Sequence, residues 1–270
     1  MTDDPEPRRA TALVLAAGRG PDEPIALRAG VAHKALVPIG GVPMLARVVR
    51  ALEACGGVAR IAISIDRAAT LAACPELARK VAEGRLEVLA SRSSASTSVA
   101  AAFDALPLPL LVTTADHALL TPAMVDHFWS NVPAGVDLAV GVVDAQRVEA
   151  AFPGVHRTFL GFRDGALKGT NLFAFLTPAA RRAADFWQRA ERHRKHPLRL
   201  LAQLGPLTGL AFALRLLTRA RAVRRLERRL GLRIALVPLP FAEAAIDVDK
   251  AEDMALAEAV LAGRGEASPP

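Results

Sequence analysis

The stretch Thr11-Ala-Leu-Val-Leu-Ala-Ala-Gly-Arg-Gly20 decides the fold, and Arg28 and Lys34-Ala-Leu-Val-Pro38 follow it. A short apolar run that ends in small residues and glycine is typical of a buried strand followed by a loop. Small side chains let backbone N–H groups approach an anion, and Arg19, Arg28 and Lys34 can offset its charge. The spacing is neither a Walker A loop nor a Gly-x-Gly-x-x-Gly fingerprint. A nucleoside triphosphate is therefore the first ligand to consider, and a tight strand-to-helix turn with solvated cations is the alternative.

The size and composition suit one large domain. The chain has 270 residues, and 52% of them are hydrophobic. We expect a single domain over residues 10–262, with flexible tails at 1–9 and 263–270. The first nine residues hold no apolar stretch, so they do not read as a signal peptide. Cys55 and Cys74 lack metal-ligand spacing, and we expect two free thiols in a cytoplasmic protein.

Apolar runs alternate with helical patterns along the chain. Strands are predicted at Ala12–Ala17, Ile61–Ile65, Leu86–Leu89, Leu108–Thr113, Leu138–Val143 and Leu232–Leu239, with a hairpin around Asp164-Gly165. Helices are predicted at Pro43–Cys55, Leu71–Glu83, Ser98–Leu106, Thr121–Asn131, Thr177–Lys195, Arg219–Leu230 and Asp249–Ala262. Nearly continuous apolar strands between helices suit a parallel sheet covered on both faces. The sequence therefore predicts an α/β three-layer sandwich with a mostly parallel, Rossmann-like central sheet.

The net charge of +7 comes from one basic segment. Residues 181–233 contain 15 Lys and Arg against 3 acidic residues, so the rest of the chain is acidic overall and no nucleic-acid partner is expected. We expect a basic helical insertion at 178–231, and three interpretations of it remain open. It could pack on the domain with a solvated basic face. It could contact an anionic membrane surface through 198–230, at the inner face of the membrane, or form an interface with a second subunit or an acidic acceptor.

The opening motif, with Arg28 and Lys34, resembles the signature of the nucleotidyltransferase superfamily. That superfamily includes molybdenum-cofactor guanylyltransferase and the sugar-phosphate and polyol-phosphate cytidylyl- and uridylyltransferases. The resemblance implies a nucleotide-diphospho-sugar transferase type of fold, related to that of the A-type glycosyltransferases. It implies nucleotide binding by Leu15, Ala16, Ala17, Gly18, Arg19, Gly20, Arg28 and Lys34, with catalytic roles for Arg19 and Lys34 on the departing pyrophosphate. The sequence departs from the family at Pro21–Pro24, an insertion, and at His33, where the family usually has proline.

Ser91–Leu106 resembles the small-residue loop and helix that contacts the base in this family, with Ser98 as the candidate contact. The alternative is an ordinary serine-rich entry to a helix. Lys168-Gly-Thr-Asn-Leu-Phe173 resembles the family's acceptor-binding strand, which implies acceptor contacts for Lys168 and Asn171. A hairpin with a solvent-facing lysine is the alternative.

Asp116 follows a buried strand, and carboxylates at the carboxyl end of such a strand lie where α/β proteins bind ligands. The family resemblance implies that Asp116 is catalytic and binds Mg²⁺ with Asp249, with Asp247 able to share or replace the role of Asp249. The alternatives are that Asp116 and Asp249 cap helices, the latter with Glu252. His117 is expected to be a neighbour of the site, since Mg²⁺ prefers oxygen ligands.

Together these matches imply a Mg²⁺-dependent transfer of NMP from an NTP, CTP or GTP first, to a phosphorylated sugar, polyol or lipid head group. Two alternatives stay open. One is a glycosyltransferase that uses a nucleotide sugar, although Ala115-Asp-His117 lacks the second Asp of an Asp-x-Asp metal motif. The other is a catalytically silent relative that binds nucleotide or membrane.

Overall fold

The structure is a computed structural model that describes residues 9–18, 20, 23–192 and 216–265. Its strands are β1 Ala10–Leu15, β2 Pro38–Ile39, β3 Val42–Pro43, β4 Val58–Ile65, β5 Leu86–Ala90, β6 Leu110–Thr114, β7 Leu138–Asp144, β8 Leu160–Phe162, β9 Gly165–Phe175 and β10 Ile234–Pro238. Its α-helices are α1 Pro24–Arg28, α2 Met44–Glu53, α3 Pro75–Ala82, α4 Ala95–Ala105, α5 Pro122–Ser130, α6 Ala145–Ala151, α7 Arg181–Arg192, α8 Arg219–Leu230 and α9 Ala251–Gly263. Short 3₁₀ turns lie at Lys34–Leu36, Ala68–Ala73, Pro178–Ala180 and Ala242–Ala245.

Eight strands form the central sheet, in the order β10-β7-β9-β6-β1-β4-β5, with β8 paired to β9. The pairs that join β1, β4, β5 and β6 are parallel, as is the pair of β7 and β10. The long hairpin strand β9 is antiparallel to both β6 and β7. The predicted mostly parallel α/β sheet is therefore confirmed, with one antiparallel strand near its middle.

The first strand lies inside the sheet, between β6 and β4, and it is apolar on both faces. Ala12 and Val14 belong to one core cluster and Leu13 belongs to another, as the two-residue period of a strand requires. The first cluster includes residues of α2 and the second includes residues of α4. Helices therefore cover the two faces, and ligand access is left to the carboxyl ends of the parallel strands.

Several predicted boundaries were wrong for local reasons. The helix predicted at Leu71–Glu83 is a 3₁₀ turn followed by α3, because Pro75 starts a new helix at its first position. The helix predicted from Ser98 begins at Ala95, where Ser94 and Thr97 form a capping box. Helix α6, capped by the Asp144 side chain, was not predicted.

The basic segment is described only in part. The helix predicted from Thr177 is a 3₁₀ turn followed by α7, and the predicted basic helix is confirmed as α8. The remainder of the helix predicted from Thr177 and residues 198–215 of the predicted insertion lie outside the described residues. Among the helices that are described, none is long and apolar enough to cross a membrane. The single domain over 10–262 and the insertion at 178–231 stay predictions.

Candidate active site

A cleft of about 970 Å³ opens at the carboxyl ends of β1, β4, β5 and β6. The strands are in register there, because Leu15 pairs with both Ser64 and Thr114. The residues that follow each strand consequently meet at one edge of the sheet. The residues that line the cleft include Ala17, Gly18, Lys34, Asp66, Thr114, Asp116, the segment from Ser91 to Ser98 at the start of α4, and two residues of α7.

Lys34 links the two predicted metal ligands. Its Nζ donates to Asp116 Oδ2 at 2.8 Å and to Asp249 Oδ1 at 2.5 Å. Burial by itself would lower the pKa of Lys34, but the two carboxylates, Asp116 first, outweigh burial and raise it above the ordinary value. Lys34 is therefore positively charged. It holds Asp249, which lies 215 positions later in the chain, beside Asp116.

Local contacts fix the two carboxylates. Thr114 Oγ1 donates to the second oxygen of Asp116 at 2.5 Å. The Val248 N–H donates to the Asp116 carbonyl at 3.0 Å, so the segment with Asp247 and Asp249 lies beside the end of β6. The helix-cap alternatives are wrong: α5 begins at Pro122, six residues after Asp116, and α9 begins at Ala251.

The carboxylate that receives the N–H groups at the start of α9 belongs to neither Asp249 nor Glu252. The Asp253 side chain accepts from the backbone N–H groups of Asp249 and Lys250, at 3.0 and 3.1 Å. The Asp249 side chain therefore does not cap this helix; it contacts Lys34 instead, with 49% of its surface exposed.

The donor set fits a hard divalent cation. Asp116 and Asp249 each place a carboxylate oxygen within 2.8 Å of one point, now filled by the Lys34 ammonium. Mg²⁺ is commonly bound by one or two carboxylates together with substrate phosphates and water. The described residues hold no cluster of three or more His, Cys, Asp and Glu that could enclose a metal unaided. The site therefore matches a cation that arrives with its nucleotide.

Asp247 and Lys168 form a second charged pair beside the first. Lys168 Nζ contacts both oxygens of Asp247, at 2.9 and 3.1 Å. The lysine side chain is only 14% exposed, so the alternative of a solvent-facing lysine is wrong. Burial raises the pKa of Asp247, Lys168 lowers it, and the charge of Asp116 adds to the net rise. Asp247 thus lies near Asp116 but is engaged by a lysine.

His33, where the sequence departs from the family, supports the loop after β1. Its Nδ1 accepts from the Ala35 N–H at 3.1 Å, so a neutral ring carries its proton on Nε2, which lies 2.8 Å from Asp66 Oδ1. Burial tends to raise the pKa of Asp66, but the hydrogen bond from His33, backbone N–H donors and the charge of His33 together lower it. A Cβ on Gly18 would lie 2.8 Å from the same Nε2, so only glycine fits there without movement.

Of the other residues predicted to bind the nucleotide or the acceptor, some line the cleft and others do not. Leu15, Ala17, Gly18 and Ser98 line the cleft with Lys34 and Asp116. Ser98 Oγ is engaged within its own loop, accepting from the Arg92 N–H and donating to the Ser94 carbonyl, both at 2.9 Å.

The rest of the predicted set does not line the cleft. Ala16 is buried in the core beneath it. Arg28 is exposed at the end of α1 and is not among the residues that line the cleft. Gly20 is also absent from the lining of the cleft, and its φ of 123° is one that favours glycine. Asn171 has a φ of 52° and lies at an irregularity in the pairing of β9 with β7. Arg19 falls outside the described residues.

Some cleft residues were not predicted. Asp66 follows β4 as Asp116 follows β6, so the rule that points to carboxyl ends of parallel strands could have found it. Gln188 and Glu191 lie on α7 within the basic segment and also line the cleft. No local motif marks those two, because their position depends on the packing of α7 against α4.

Sequence comparison gives two matches, and both are to nucleotidyltransferases. The family model described as the MobA-like NTP transferase domain matches residues 12–233. The 2-C-methyl-D-erythritol 4-phosphate cytidylyltransferase of Cereibacter sphaeroides is 30% identical over 189 residues, which are 69% of this chain and 77% of that protein.

Solved structures show the same fold. A hypothetical transferase from Thermus thermophilus has a TM-score of 0.76 and 30% identity, covering 91% of this chain and 99% of its own. A CMP:2-keto-3-deoxy-manno-octonic acid synthetase complexed with CTP has a TM-score of 0.55 at 15% identity, covering 95% of this chain and 99% of its own, a likeness of fold alone. Since the family model spans most of the chain, the protein belongs to the MobA-like NTP transferase family and is a nucleotidyltransferase.

Proposed function

We propose that the protein transfers CMP from CTP to a phosphorylated small molecule, a sugar, polyol or lipid head-group phosphate, and releases pyrophosphate. The observation that carries the proposal is the convergence of Lys34, Asp116 and Asp249 at the carboxyl end of β6. The choice of CTP over GTP is supported by the 30% identical relative, which is a cytidylyltransferase.

The reaction needs positioning and charge more than covalent catalysis. An oxygen of the acceptor phosphate attacks the α-phosphorus, the bond from that phosphorus to the bridging oxygen of the β-phosphate breaks, and pyrophosphate leaves. Lys34 offsets the charge that develops on the leaving group, and the loop at Gly18 offers backbone N–H groups to the phosphates. Mg²⁺ held by Asp116 and Asp249 would supply further positive charge at the phosphates. Lys168 and Asn171 are the proposed acceptor contacts.

The substitution Asp116→Asn tests this assignment. We expect pyrophosphate release to fall by at least ~100-fold, because the carboxylate that orients Lys34 and the proposed metal is lost. Glu258→Gln is the control, since it makes the same carboxylate-to-amide change at an exposed position of α9 that does not line the cleft. Release would be measured with each of four NTPs and a panel of phosphorylated sugars, polyols and lipid head groups. Full Mg²⁺-dependent activity in Asp116→Asn would contradict the assignment, and a wild-type protein that binds NTP but turns over none of the panel would favour a silent relative.

We also propose a peripheral contact with anionic membrane through residues 198–230, at the cytoplasmic face. Within the described part, Val223, Leu226 and Leu230 of α8 pack against the core, so its apolar side is already covered. The other side presents arginines around a surface depression of about 430 Å³, lined by Arg221, Arg224, Arg225 and Arg228 with Glu227. The support is therefore electrostatic.

Co-sedimentation with liposomes tests the membrane contact. We expect binding to vesicles that contain anionic lipid, weakened by salt, and reduced by the double substitution Arg221→Glu/Arg224→Glu. The same substitution of Arg79 and Arg85, on and just after α3, is the control. Equal binding to neutral vesicles, or none to either, would leave the basic face as a solvated surface or a subunit contact.

A further inference from the structure

Helix α7 forms a wall of the nucleotide cleft. Gln188 and Glu191 both line it, and residues three apart lie on the same face of a helix. Ser96 Oγ, on α4, donates to Glu191 Oε2. Since Ser96 is 0% exposed, this contact holds the carboxylate in place at the side of the cleft. The basic segment therefore contributes two polar side chains to a site that the family motifs attribute to other parts of the chain.

The chemistry of a carboxylate restricts which part of a bound ligand this wall can contact. It is an acceptor and carries negative charge, so it repels phosphate and requires a donor from the ligand. Lys34 and the Gly18 loop already mark the phosphate end of the same cleft. On a nucleoside triphosphate the remaining donors are the amino and imino groups of the base and the ribose hydroxyls.

The pairing of Glu191 with Ser96 favours the base. A ribose diol binds best across both oxygens of a carboxylate, and the serine hydroxyl already donates to Oε2 of Glu191. Oε1, which accepts from none of the described residues, suits a single exocyclic amino group. Gln188, one turn earlier, has an amide that can donate to an acceptor next to that amino group. Cytosine presents this pattern, N4–H₂ beside the N3 acceptor, whereas a pyrimidine with a 4-oxo group presents an acceptor at the first position.

We propose that Glu191 and Gln188 select the base of the donor nucleotide, with Glu191 accepting from N4 of cytosine and Gln188 donating to N3. Uracil is rejected because its O4 meets the carboxylate, while the Gln188 amide must turn over to accept from its N3–H. The inference rests on the proposed function and adds the residues that set the base.

Binding of CTP and UTP, measured by calorimetry on the full chain with Mg²⁺, tests the proposal without an acceptor. In Glu191→Gln the new amide can donate to O4, so we expect the Kd ratio of UTP to CTP to fall by ~10-fold or more. Gln188→Glu places an acceptor opposite N3 and should lower the ratio through a different atom of the base. Glu258→Gln, the same chemical change on the exposed face of α9, should leave the ratio unchanged.

Three outcomes would distinguish failure of the base assignment from failure of the proposed function. If the wild-type protein binds CTP and both cleft variants keep its UTP-to-CTP ratio, the base assignment is wrong while the proposed function stands. If Glu191→Gln weakens CTP but not 2′-deoxy-CTP at an unchanged ratio, the carboxylate contacts the ribose and the proposal is overturned. If the wild-type protein binds neither nucleotide, the proposed function itself fails.

Discussion

Gly18 and His33 constrain each other sterically and not through a hydrogen bond. The φ at Gly18 is not in the left-handed region, so the requirement for glycine comes from the imidazole, 2.8 Å from where a Cβ would lie. The histidine that departs from the family pattern therefore sets the shape of the loop after β1. Proline, the usual family residue, could not make the two ring hydrogen bonds that His33 makes to Ala35 and Asp66.

The substitution Gly18→Ala should weaken CTP binding by about 10-fold, because the loop must move away from His33. The measurement is the calorimetric Kd for CTP with Mg²⁺. Adding His33→Ala removes the obstructing ring, and the double variant should recover part of the loss. An equal or larger loss in the double variant would mean that the methyl group obstructs the nucleotide and not the histidine.

At the level of elements, patterns within one strand or turn were enough for much of the fold. The continuous apolar run of β1 and the position of Asp116 after β6 follow from buried parallel strands and their carboxyl ends. The insertion of β9 between β6 and β7 could not be predicted, because a hairpin's alternation says nothing about which distant strand it pairs with. The capping box of Ser94 and Thr97 was visible in the sequence and would have placed the start of α4 correctly.

Cys55 connects two elements of the core. It follows α2, is 3% exposed, and its thiol donates to Asp126 Oδ1 on α5 at 2.7 Å. Both cysteines are free thiols and buried, as predicted. Burial, with the contact to Asp126, raises the pKa of the Cys55 thiol to about 12. The folded protein therefore keeps this proton at pH values where an unfolded chain loses it.

This difference predicts an alkaline loss of stability. The unfolded thiol deprotonates near pH 8.5 and the folded thiol near pH 12, so the free energy of unfolding should fall as pH rises from ~9, by up to ~1.4 kcal/mol per unit. Cys55→Ser keeps a donor for Asp126 but does not titrate there, and it should flatten this decline in urea unfolding. Cys74→Ser is the control. The chain has no tyrosine, which simplifies this range. Parallel pH curves for wild type and Cys55→Ser would contradict the prediction.

For the whole molecule, the candidate site brings together residues from the first and the last parts of the described chain. Lys34 follows the first strand and Asp249 precedes the last helix, and neither contact to Lys34 is local in sequence. The family resemblance singled out Asp116 and Asp249, which the structure brings together at Lys34, but it gave no sign of the contribution of α7 to the cleft.

The substitution Asp249→Asn should uncouple nucleotide binding from Mg²⁺. Ligand at 100 times its Kd stabilises a protein by about 2.7 kcal/mol, which is visible as a rise in Tm. We expect CTP with Mg²⁺ to raise the Tm of the wild-type protein more than CTP alone does. In Asp249→Asn that extra rise should disappear, while Glu258→Gln should retain it. A persisting Mg²⁺-dependent rise in Asp249→Asn would place the ion elsewhere.

The late position of Asp249 has a consequence for a chain that is released early. Every described strand of the central sheet lies at or before Pro238, so a chain that terminates between Pro238 and Asp249 contains all of these strands. Lys34 then has Asp116 as an acidic partner without Asp249. Such a chain would contain the whole sheet but lack half of the acidic pair on which the proposed transfer depends.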